Sequence, residues 1–90
     1  MKPYIITYEI KPAATSNYEK LFEEIKKHKK WWHYLENSWI VMSDESASKI
    51  FAKFETHLDE NINLLVIELG KDRQGWLTEK AWTWIKNNIG

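Results

Sequence analysis

The stretch KKHKKWWHYLENSW, Lys26 to Trp39, places four lysines and a histidine directly before paired tryptophans. Single-stranded nucleic acid and nucleotides call for this combination. Cations meet phosphates, and exposed rings stack on bases at about 1 to 3 kcal/mol per base. Lys27, Lys30, Trp31, Trp32, His33 and Trp39 are therefore candidate ligand-binding residues. The stretch also has a plainer reading, as a helix end running into an aromatic hairpin. Lysines in the last turns of a helix complement its orphan carbonyls and the negative end of its macrodipole. His28, His33 and His57 fall on three different elements and form no close metal-ligand spacing; His33 alone is a candidate acid–base or phosphate contact. Cysteine is absent, which excludes disulfide staples, thiolate zinc sites and cysteine nucleophiles.

Composition narrows the ligand class. Thirteen lysines and arginines balance thirteen aspartates and glutamates, so no net field draws the chain to polyanions or to anionic membrane surfaces. That counts against a duplex-coating protein and suits a small, partly apolar nucleotide or a short single strand. No apolar run approaches the roughly 18 residues that span a bilayer. The start MKPYIITYEIKP has neither the apolar length nor the cleavage site of a signal peptide, and the expectation is a cytoplasmic protein without membrane contact. With 90 residues and no Pro/Gly/Ser linker, repeat or low-complexity tract, positions 1–90 read as one small domain with a modest core.

Hydrophobic periodicity supplies the elements that position these residues. In YIITYEI, Tyr4, Ile6, Tyr8 and Ile10 alternate with Ile5, Thr7 and Glu9, the period of a strand. SNYEKLFEEIKKHKK carries Tyr18, Leu21, Phe22 and Ile25 at helical spacing, with Ser16 and Glu19 as a capping box and the lysines in its last turns. WWHYL and SWIVM flank Glu36 and Asn37 as a hairpin. In it Trp31, His33 and Leu35 face one way and Trp32 and Tyr34 the other, while Trp39 shares a side with Val41. A second helix, capped by Asp44 or Ser46, carries Ala47, Ile50, Phe51, Phe54 and Leu58. INLLVIEL is apolar on both faces, as expected of a central or covered strand. After the polar segment GKDRQG, the last helix carries Leu77, Ala81, Trp82, Ile85 and Ile89, with Trp76 before it as a staple.

The order strand, helix, strand, strand, helix, strand predicts an α+β fold of the ferredoxin-like βαββαβ type. Two helices would cover one face of a four-stranded antiparallel sheet, with a short C-terminal helix added. The other face would stay open, and apolar residues on it would bind a ligand or, the preferred reading, form a homodimer.

The residues also carry a resemblance. The strand TYEI, the helix NYEKLFEEIKK and the hairpin NSWIV resemble the superfamily of CRISPR-associated protein 2 and virulence-associated protein D. W-W-H-x-L-E-x-S-W-I-V, S-D-x-S-A and a terminal W-I-K-N-N are similar over nearly the whole chain to the small bacterial and phage proteins labelled SinR-family. The resemblance implies a ferredoxin-like homodimer, with members that include nucleases, integrase partners and proteins without an assigned activity. In the nuclease members an aspartate ends the first strand and pairs across the dimer to hold a divalent metal. The matching residue here is Glu9, which would be both the catalytic and the metal-ligating residue of a Mg-dependent ribonuclease. Ser38 matches the serine after the hairpin turn, where it would hydrogen-bond a ligand phosphate or close the turn, and Tyr8 lies in the matching TYEI strand; both are candidate ligand-binding residues. The expected function is a small homodimeric binding protein for a nucleotide or nucleic acid, in phage–host conflict as the resemblance implies, without catalysis or a required cofactor. The alternatives are the Glu9 ribonuclease and a protein-interaction module.

Overall fold

The computed structural model describes residues 1–12 and 18–90. Its elements are β1 (Lys2–Ile10), α1 (Glu19–Lys26), β2 (Trp31–Leu35), β3 (Ser38–Ser43), α2 (Ala47–Ala52), a 3₁₀ turn (Glu55–His57), β4 (Ile62–Glu68) and α3 (Glu79–Asn88). The fold is α+β: the four strands form one antiparallel sheet in the order β2-β3-β1-β4. Among the described residues no helix is long and apolar enough to cross a membrane.

Strand alternation sorts the core into two layers. Tyr4, Ile6 and Tyr8 of β1, Trp39 and Val41 of β3 and Ile62 of β4 share one face of the sheet. Against them pack Leu21 and Ile25 from α1, and Ile50 and Phe54 from α2 and the turn after it. Each such side chain contributes about 1.5 to 3 kcal/mol by leaving water. The opposite face is not left open as the sequence suggests. Trp32 of β2 and Ile40 of β3 meet Ala81 and Ile85 of α3 in a second cluster, so the C-terminal helix roofs the β2–β3 half of that face.

Several local expectations change. The Ser16 side of the capping box lies outside the described residues. Helix α1 ends at Lys26 with Lys27 as its C-cap, so Lys29 and Lys30 sit in the bend before β2, beyond the helix they were expected to finish. Ser46, not Asp44, caps α2, accepting from the Lys49 N–H at 3.2 Å. The second helix breaks after Ala52 and resumes as a 3₁₀ turn, which still buries Ile50 and Phe54 four residues apart. Strand β4 is an edge, not a central strand, and leaves Leu65 and Ile67 52% and 47% exposed. Trp76 staples nothing: it is 98% exposed, and α3 is capped by Thr78, whose hydroxyl accepts from the Ala81 N–H.

Candidate functional site

Strand β2 lies at the sheet edge, so whatever stands on its α1-facing side has open space along one flank. Trp31 and His33 stand there, above Trp39 of β3. The His33 imidazole stacks on the Trp39 indole with ring centroids 3.7 Å apart and planes 14° apart. Trp31 leans on the same indole at 5.5 Å and 56°. From α1, Phe22 stacks against Trp39 at 6.0 Å and tilts onto Tyr8 of β1 at 5.7 Å. The result is a continuous aromatic block whose centre, Trp39, is 1% exposed and whose outer ring, Trp31, is 40% exposed.

Hydrogen bonds fix the block. The Trp39 indole N–H donates to the Tyr8 hydroxyl at 3.1 Å, and that hydroxyl donates onward to the Glu36 carbonyl at 3.4 Å. Burial pushes the Tyr8 pKa up, against the Trp39 hydrogen bond, which lowers it; the Glu36 carboxylate adds to the rise. The phenol therefore stays protonated and keeps its donor at neutral pH. His33 Nε2 lies 3.1 Å from the same Glu36 carbonyl. A carbonyl only accepts, so the ring carries its proton on Nε2, and in the neutral form Nδ1 is the acceptor.

A cation completes the surface. Lys26, at the end of α1, holds its ammonium 5.6 Å from the Trp31 ring and 5.9 Å from the Trp39 ring. At an exposed site such cation–π contacts contribute about 0.5 to 1 kcal/mol each. Lys29 and Lys30 follow in the exposed bend, and among the described residues none of Lys26, Lys29 and Lys30 makes an ion pair. Lys27 is different: it binds Glu24 at 2.6 Å, and that hydrogen bond holds the Glu24 carboxyl below its ordinary range.

The structure thus divides the candidates that the sequence groups together. Tyr8, Trp31, His33 and Trp39 come together, with Lys30 in the adjoining bend. Trp32 does not join them: it is 2% exposed on the opposite face, its indole N–H donating to the Ala81 carbonyl at 3.2 Å, and it presents no ring to the Trp31 edge. Ser38 also turns to that face, sharing a 2.9 Å hydrogen bond with Thr7. Glu9 lies there too, exposed at the end of β1 opposite Asn63, in a shallow hollow with Thr7 and Leu65. Among the described residues no three His, Cys, Asp or Glu side chains gather as a metal site. Lys26 and Phe22 belong to the site although neither was singled out for it; their i, i+4 spacing along the apolar stripe of α1 was the available signal. Compared with protein-family models, curated proteins and solved structures, the chain matches none.

Proposed function

We propose that this chain is a small homodimeric protein that binds a nucleotide or a single-stranded nucleic acid at the Trp31 edge, without catalysis and without a required cofactor. The observation that carries this reading is the 40% exposed Trp31 ring with the Lys26 ammonium 5.6 Å away, continued by the lysines of the bend. A base stacked on the free side of Trp31 would set its phosphate among Lys26, Lys29 and Lys30. The zero net charge of the chain favours a short ligand over a long duplex. Read from its other edge, the strand order is β4-β1-β3-β2, which with α1 and α2 on one face supports a ferredoxin-like assignment. That assignment agrees with the resemblance to the CRISPR-associated protein 2 superfamily, and a place in phage–host conflict rests on that resemblance alone.

Fluorescence anisotropy with a labelled oligouridylate tests the site. Trp31→Ala should weaken binding by about 1 to 3 kcal/mol, and Lys26→Gln should flatten the log–log salt dependence by about 0.7, the single-strand value for one phosphate contact. Equal affinities and equal salt slopes for wild type and both variants would remove the proposal.

The homodimer rests on Leu65 and Ile67, exposed on an edge strand beside the uncovered half of the second face. Sedimentation equilibrium should give a dimer at micromolar concentration, and Leu65→Lys should give a monomer. A monomeric wild type would count directly against it. The same location supports a second reading. Glu9 shares a hollow with Leu65, so a two-fold axis through this patch would bring two Glu9 carboxylates toward each other, as a Mg-dependent ribonuclease requires. Glu9→Gln should then abolish RNA cleavage at unchanged fold; cleavage that survives the substitution excludes the metal reading.

A further inference from the structure

Away from the aromatic edge, α3 does not close fully on the sheet. A cavity of about 250 Å³ remains between them, walled by Trp32 and Ile40 of the sheet and by Leu77, Trp82 and Ile85 on the helix side. Its polar end is formed by the exposed residues Asp72, Arg73 and Gln74 of the segment leading to α3. Neither Trp31 nor Lys26 lines it.

The walls set the size and nature of an occupant. An apolar cavity of about 150 Å³ holds a benzene ring, so this one accepts a phenyl or isobutyl side chain with its first methylenes. The polar end sets the head group. Asp72 and Arg73 carry opposite charges at neighbouring positions; among the described residues Asp72 forms no ion pair, while the Arg73 guanidinium rests on the Gly90 oxygen beyond the end of α3. Arg73 spends two of its five N–H donors, one on the Lys71 carbonyl and one on the Gly90 carbonyl, which leaves donors for a carboxylate. A simple acid would meet the Asp72 carboxylate as a like charge, and a simple amine would meet the Arg73 guanidinium. A zwitterion satisfies both.

We propose that the cavity between α3 and the sheet is a binding site for a free apolar α-amino acid, its side chain inside, its carboxylate on Arg73 and its ammonium on Asp72. This goes beyond the nucleotide reading and uses none of its residues. The site would make the seating of α3 depend on a small metabolite.

The test is a titration of the intact chain with L-phenylalanine and L-leucine, followed by the indole N–H signals of Trp32 and Trp82 in nuclear magnetic resonance spectra. For about a dozen heavy atoms, partly solvated, a dissociation constant of the order of 0.1 to 1 mM is expected. Phenylalaninamide, which lacks the carboxylate, and N-acetylphenylalanine, which lacks the ammonium, should each bind about tenfold more weakly, the loss of one charge-assisted hydrogen bond. Arg73→Gln should weaken L-phenylalanine by a similar factor and leave phenylalaninamide unchanged. Asp72→Asn should do the same for N-acetylphenylalanine as reference. Both positions are exposed, and unchanged near-ultraviolet circular dichroism would verify the fold of each variant. Equal affinities for the free and blocked compounds, or variants that affect all ligands alike, would overturn the zwitterion assignment. Unmoved indole signals up to about 10 mM ligand, far above the expected constant, would overturn the site.

Discussion

Trp39→Ala is expected to cost most of the stability of the domain. The indole is 1% exposed and is the centre on which His33, Trp31 and Phe22 all rest. Removing a buried ring of this size costs about 3 to 5 kcal/mol in transfer and cavity terms. The substitution also strips the buried Tyr8 hydroxyl of its donor. Native domains hold only about 5 to 15 kcal/mol in total, with small ones toward the lower end. Trp39→Phe keeps a ring and loses only the N–H and some volume, so it should recover more than half of the loss. Trp31→Ala, at the outer edge of the same block, should cost about 1 kcal/mol or less beyond its ring contacts. Urea unfolding followed by circular dichroism measures all three. A Trp39→Ala variant as stable as Trp31→Ala would mean that the aromatic block does not organise the core.

That contrast separates what a sequence can and cannot carry. Alternation in YIITYEI is a local signal, and Tyr4, Ile6 and Tyr8 are buried as it requires. Alternation in WWHYL likewise assigns Trp31 and His33 to one side and Trp32 and Tyr34 to the other, and the ring contacts follow that split. Leu35, expected beside His33, turns instead to the Trp32 side, because the pairing with β3 shifts register between Trp32 and Leu35. What alternation leaves open is which side is covered and by what. The answer for Trp32 lies 49 residues away, at the Ala81 carbonyl. Strand β4 fails for the same reason: INLLVIEL is apolar on both sides, and only the pairing with β1 alone makes it an edge with Leu65 and Ile67 outside. The aromatic and basic character of the candidate site is legible in KKHKKWWHYLENSW. Which of its two faces is covered is not, since Trp32 and Ser38 become structural through Ala81 and Thr7.

Trp32 consequently supports a second large prediction, of a different kind. It is 2% exposed, and with Ile40 it forms the sheet side of the cluster that holds Ala81 and Ile85. Helix α3 has ten residues, and isolated helices below about 12 to 15 residues are marginal in water, so α3 persists only because this cluster holds it. The cluster on the other face shares none of these buried residues. Trp32→Ala, at about 3 to 5 kcal/mol for a buried ring, should therefore release α3 before it unfolds the sheet. Native-state hydrogen exchange should show α3 amides losing protection while those of β1 and β3 keep most of theirs. Amide protection in α3 equal to that in β1 would show one cooperative unit and reject the two-layer account. The variant also separates the two proposed sites. Oligonucleotide binding at Trp31 and Lys26, on the face that α1 covers, should survive loss of α3, whereas amino-acid binding between α3 and the sheet should vanish with its wall. Trp31→Ala should give the opposite pair of results.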